Sequence, residues 1–162
     1  MRKFFSFITF LSVLLTCFHS SVISKAANSD AVYLDDGYYI ITEEIQYSSV
    51  LSEITTYSTT TQNASKTSRL YDANDQLIAT FTVYGSFSIN NGTSVKCTDV
   101  TYSQSVSSSK WKFLSATISR NNTSINTASA VGTGMFKNVN TGKQVNISVT
   151  LSCSKTGVLS KT

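Results

Sequence analysis

Few side chains in this 162-residue chain could serve a reaction centre, and their spacing argues against most of the chemistry they might do. The single histidine, His19, follows directly on an N-terminal apolar run. If that segment is removed, Ser-His-Asp and Cys-His activation both lose their base. Ser107-x-x-Lys110, Ser109-x-x-Lys112 and Ser152-x-x-Lys155 match the bare Ser–Lys spacing. Three matches in so Ser-rich a chain are close to chance, and that motif normally opens a helix. The carboxylates Asp35-Asp36 and Glu43-Glu44 are adjacent, and neighbours in a strand point to opposite faces. Glycoside hydrolysis instead needs two carboxyl groups held about 5–10 Å apart across one cleft. Asp72-x-Asn74-Asp75 begins like a calcium loop but lacks the later Gly and Glu, so it reads better as a hairpin turn.

Cys97 and Cys153 have neither a C-x-x-C spacing nor the close partners of a zinc site. Gly132-x-Gly134 sits inside a strand pattern, where glycine marks a bulge or close packing rather than a phosphate loop. The expectation is therefore no cofactor, no metal and no catalysis, with a carboxylate-dependent hydrolase or a structural envelope component as the alternatives. What remains is surface recognition. Tyr84 lies among Thr80 and Thr82 on the polar phase of one strand, and Trp111 stands between Lys110 and Lys112. These four residues form the expected surface binding set, for a glycan or a cell-surface protein. The plain alternative is that tyrosines are good strand residues with a wet end.

The elements that must position these residues begin with an export signal. Arg2 and Lys3 precede an apolar run from Phe4 to Phe18, and Ser24 and Ala26 suit a cleavage after Ala26. The run is short for a spanning helix, which needs about 20 residues. Residues 1–26 are thus expected to be a signal peptide, with an uncleaved membrane anchor as the alternative. Residues 27–162 are expected to form one secreted domain that has no membrane contact once the signal is cleaved. Removing Arg2, Lys3 and Lys25 leaves ten basic residues against nine acidic ones. Much of the net charge of +4 therefore belongs to the signal, and a nucleic-acid partner is not indicated. Asp30, Asp35, Asp36, Glu43, Glu44 and Glu53 all precede the first Lys or Arg of the body. Either these charges are merely solvated, or the acidic segment lies across a basic face or docks a basic partner.

The body alternates with period two. Leu77, Ala79, Phe81, Val83, Gly85 and Phe87 share one phase, and Asn90-Asn91-Gly92 offers a tight turn. The return strand carries Val95 and Cys97 inward, then shifts phase to Val100, Tyr102 and Val106, which predicts a bulge near Thr98-Asp99. A second hairpin turns at 138–142, after which Val145, Ile147, Val149, Leu151 and Cys153 alternate without a break. Further strands are expected at 54–62, 65–71, 111–118, 124–131 and 131–136, while 40–54 fits either a short helix or an irregular strand. The fold class is all-β, an antiparallel sandwich or a small barrel. With an export signal, Cys97 and Cys153 are expected to pair as a disulfide; the alternative is two buried thiols. The sequons at Asn63, Asn91, Asn121, Asn122 and Asn146 would matter only in a eukaryotic secretory path.

The segment YDANDQLIATFTVYGSFSINNGTSVKC, with Tyr71, Leu77, Thr80, Phe81, Thr82, Gly85, Phe87 and Cys97, resembles an uncharacterised family of small exported β-rich proteins from Gram-positive, gut-type anaerobes. Trp111, residues 128–132 and Leu151-x-Cys153-x-x-x-Gly157 fit the same outline, so the likeness covers roughly residues 38–160. Ser154 stands where the pattern has Asp. The resemblance implies secretion, the β fold and the disulfide, and it implies no activity.

Overall fold

The computed structural model describes residues 31–48, 59–90 and 92–161. The expected signal peptide and its cleavage site lie outside the described residues. The chain forms β1 (Ala31–Tyr33), a 3-10 turn (Asp35–Gly37), β2 (Tyr39–Thr42), β3 (Gln46–Ser48), β4 (Thr59–Tyr71) and β5 (Leu77–Asn90). It continues through β6 (Ser94–Val106), β7 (Trp111–Asn121), β8 (Thr127–Asn138), β9 (Gln144–Ser154) and β10 (Leu159–Lys161). Two antiparallel sheets result, one ordered β1-β2-β4-β5-β6 with β3 also paired to β4, the other β10-β9-β8-β7. Neither sheet closes on itself, so the architecture is an antiparallel sandwich and not a barrel. Among the described residues no helix is long and apolar enough to cross a membrane.

The turns form where their side chains can satisfy the backbone. Asp72 Oδ1 accepts from the N–H groups of Asn74 and Gln76, at 2.9 Å each, and so closes the β4–β5 turn. Gly92, at φ +69°, lets the β5–β6 turn close with Thr93 N donating to Asn90 O at 2.7 Å. Asn138 Oδ1 accepts from the N–H groups of Asn140 and Thr141 in the β8–β9 turn. The expected bulge is present: Ser86 pairs with Asp99 but Phe87 with Cys97, so Thr98 is the extra residue. It moves the inward phase from Val95 and Cys97 to Val100, and all three are buried.

The core lies between the inward faces of β4, β5, β8 and β9. Phe81, Val83, Phe87, Ala130, Phe136, Ile147 and Leu151 are fully buried in it. The sheets meet bulk against absence. A Cβ on Gly132 would stand 2.5 Å from Val83 Cγ2, and one on Gly134 would stand 2.6 Å from Phe81 Cδ2. The Gly-x-Gly pair of β8 is therefore a seat for two β5 side chains, the close-packing reading of the sequence.

Two strands differ from expectation. Residues 59–71 form one strand, not two, because its inward positions are Ala64, Lys66, Ser68 and Leu70. A lysine and a serine in the inward phase hide the period in the sequence. Lys66 is buried and donates from Nζ to Thr150 O across the sandwich at 3.0 Å. Likewise β8 is continuous, its two glycines being packing positions rather than breaks. In the ambiguous stretch, 40–42 and 46–48 are strand, and 49–54 lie outside the described residues.

The free edge of β6 is closed without another strand. Asn122 accepts from Cys97 N at 2.7 Å and donates to Cys97 O at 3.0 Å, so its amide imitates a strand neighbour. Arg120 adds a donor to Thr98 O at 2.6 Å.

Candidate recognition face

The expected disulfide is not formed. Cys97 on β6 and Cys153 on β9 are both buried free thiols. They belong to different sheets, and each turns to a carbonyl of its own strand, Cys97 Sγ to Asp99 O at 3.4 Å and Cys153 Sγ to Ser154 O at 3.5 Å. A bridge demands Cα atoms about 4.4–6.8 Å apart with converging Cβ vectors, and here the two sulfurs turn to separate carbonyls instead. The thiols fill core space as small apolar groups. Burial pushes the Cys97 thiol up, against the pull of Arg120. Burial, reinforced by Cys97 itself, pushes Cys153 up to about 11.

The four expected surface residues separate. Trp111 is only 6% exposed and packs edge-on against Tyr38, 5.5 Å between centroids. It is the first residue of β7, and the segment between the 3-10 turn and β2 closes over it, so it is not a surface platform. Thr82 is buried and shares a 2.9 Å hydroxyl bond with Thr67, while Thr80 is half-buried. Only Tyr84 is exposed, at 44%.

The described acidic residues are mostly engaged in holding the fold. Asp36 meets Lys143 Nζ at 2.6 Å, and the same ammonium lies 4.9 Å from the centre of the Tyr38 ring. Glu43 pairs with Arg69. Asp75 Oδ1 accepts from Tyr39 OH at 2.5 Å. Two acids of the N-terminal segment thus contact single bases of the body, in pairs that stay open to solvent. Asp30 and Glu53 lie outside the described residues.

Around Tyr84 the register builds a site the sequence reading did not contain. Gln46, Ser65, Tyr84 and Thr101 are successive partners across β3, β4, β5 and β6. Directly paired residues share a face, so these four form one row on the outer surface of the six-stranded sheet. Two residues along, Asn63, Ser86 and Asp99 form a second row. Between the rows lie Ala64 and Gly85, whose side-chain positions face the core, so backbone floors the gap. The result is an open cleft of about 530 Å³ that reaches β3 at Gln46 and Tyr47, where Tyr47, paired with core-facing Ala64, turns its side chain to the opposite face. Its polar atoms are pre-ordered: Ser86 Oγ donates to Asn63 Oδ1 at 2.8 Å, and Tyr84 OH and Ser103 Oγ share a 3.2 Å contact. The Tyr84–Ser103 pair uses one of its two hydroxyl hydrogens, and Ser86 spends its own on Asn63 Oδ1 but leaves the Asn63 NH2 group, so donors and lone pairs are left for a ligand. Gln46, Tyr47, Asn63, Ser65, Ser86 and Thr101 escaped the sequence reading. The signal that could have found them is the polar phase of β4 and β6, aligned across the two predicted turns. This chain matched no protein-family model, no curated protein and no solved structure.

Proposed function

We propose that the chain is a secreted, non-catalytic recognition module that binds a glycan or a cell-surface protein through the outer face of its six-stranded sheet. The observation that supports this is the exposed Tyr84, set in a cleft of hydroxyl and amide side chains whose mutual hydrogen bonds hold them in place. Such a surface suits a ligand that exchanges hydrogen bonds with the protein and stacks on an aromatic ring. The N-terminal signal pattern and the likeness to small exported proteins are consistent with a role outside the cell.

The test is binding of the purified full chain to a polysaccharide array and to intact bacterial and epithelial cells. Saturable binding to a polysaccharide or to a protease-sensitive surface component is expected. New reducing ends released from a bound polysaccharide would replace recognition by carboxylate hydrolysis. Concentration-dependent self-assembly without any binding would favour an envelope or matrix component.

A further inference from the structure

Resting on that reading, we infer that the cleft between the Gln46–Thr101 row and the Asn63–Ser86 row takes a short, extended stretch of uncharged polysaccharide. The charge of the lining comes first. Gln46, Tyr47, Asn63, Ser65, Tyr84, Ser86 and Thr101 carry no formal charge at neutral pH. In register, the charged positions are Asp99, at the far end of the second row, Lys96, one row further along opposite Ser88, and Arg69, two rows away on the other side and held by Glu43. A sulfated or uronic-acid polymer would find no cation in either row and a carboxylate, Asp99, at the end of one, and desolvating its charges without a cation is costly. A neutral sugar chain meets what it needs, namely donors and acceptors in number.

The geometry adds direction. Neighbouring strands are about 4.8 Å apart, so a row crossing four strands offers a polar side chain at each step, over about 14 Å in total. That step is close to the length of one ring in an extended sugar chain. The rows are two residues apart along each strand, about 6.8 Å, which leaves a trough one ring wide. A chain lying across the strands would present its ring hydroxyls to both rows. Tyr84, at the middle of its row, would offer ring surface to one sugar, and Gln46 would close the β3 end with its amide. The volume lies within the usual range for a small ligand, roughly 300–1,000 Å³.

The test is an NMR titration of the isotope-labelled full chain, with cellohexaose, maltohexaose and mannohexaose as neutral probes and polygalacturonate and heparin as acidic ones. The expected result is binding of at least one neutral probe, insensitive to salt, with amide shifts concentrated at residues 46–47, 63–65, 84–86 and 101. Tyr84→Ala should weaken it by about tenfold or more, as loss of a central aromatic contact does. Asn63→Asp, which adds a charge with little change of shape, should weaken it while the spectrum stays folded. Binding only of acidic probes, salt-sensitive binding, or shifts mapping elsewhere would overturn this inference while leaving recognition in place. No carbohydrate binding alongside capture by a protein on intact cells would likewise overturn the saccharide assignment alone. Silence in both assays would remove the assignment and the recognition reading together.

Discussion

Gly132→Ala tests the contact that sets how closely the two sheets approach. The new methyl would sit 2.5 Å from Val83 Cγ2 and 3.2 Å from Phe81 Cε1. Val83 is fully buried and β-branched, so it cannot swing aside cheaply. Overpacking of this kind costs about 1–3 kcal/mol. Against that, Gly132 does not adopt positive φ, so alanine is allowed there and gains about 0.4–1 kcal/mol by restricting the unfolded chain. The net expectation is a loss of about 1–2 kcal/mol, read as a lower urea midpoint at unchanged slope.

Val83→Ala alone removes two buried methyl groups, about 1.6 kcal/mol in transfer, and with its cavity should cost about 2–3 kcal/mol. The double variant puts the Gly132→Ala methyl into the space that Val83→Ala vacates. It should therefore be more stable than the sum of the singles predicts, by about 1 kcal/mol or more. If the two changes add to within about 0.5 kcal/mol, or Gly132→Ala is as stable as the parent, the glycine is not there to seat Val83 and the account of the interface fails.

Two other outcomes follow from buried groups. Denaturation without reductant should leave Cys97 and Cys153 both open to alkylation, and a Cys97–Cys153 linked peptide in the mass spectrum would refute the thiol assignment. Because the folded Cys153 thiol is raised from 9.0 to about 11, the unfolded chain loses that proton first. Stability from this group is complete below pH 9 and falls by at most about 2–3 kcal/mol as pH rises toward 11. Parallel pH–stability curves for wild type and Cys153→Ala would contradict it. Asn122→Ala should cost about 1–3 kcal/mol, because the Cys97 N–H and C=O lose their only near-strand partner on that edge. Urea denaturation reads the cost directly, and an unchanged midpoint would mean that water replaces the amide without loss.

Local pattern carried much of the fold. The alternation of β5 and β9, the Asn-Gly and Asn-x-x-x-Gly turns and the phase slip at Thr98 are properties of neighbours in sequence, and period two maps them directly onto faces. Where a strand breaks the apolar code for reasons lying on another strand, the pattern misleads. Lys66 is inward because Thr150 O on β9 receives its ammonium, and Gly132 and Gly134 are strand interior because β5 fills their space.

The site was less legible still. Tyr84 could be placed on a polar phase from its own strand, but Trp111 could not be recognised as buried, because Tyr38, more than 70 residues earlier in the chain, covers it. The thiols likewise share inward phases, yet pairing depends on how far apart the sheets hold them. Sequence by itself determined an alternating, turn-punctuated β chain with no histidine after His19. Tertiary structure alone decided which outward positions become neighbours. A row such as Gln46–Ser65–Tyr84–Thr101 is fixed by register across four strands, and register is a sum of turn lengths, the register shifts at Leu70/Tyr71 and Ser86/Phe87, and the pairing of β3 with a strand that β2 also pairs.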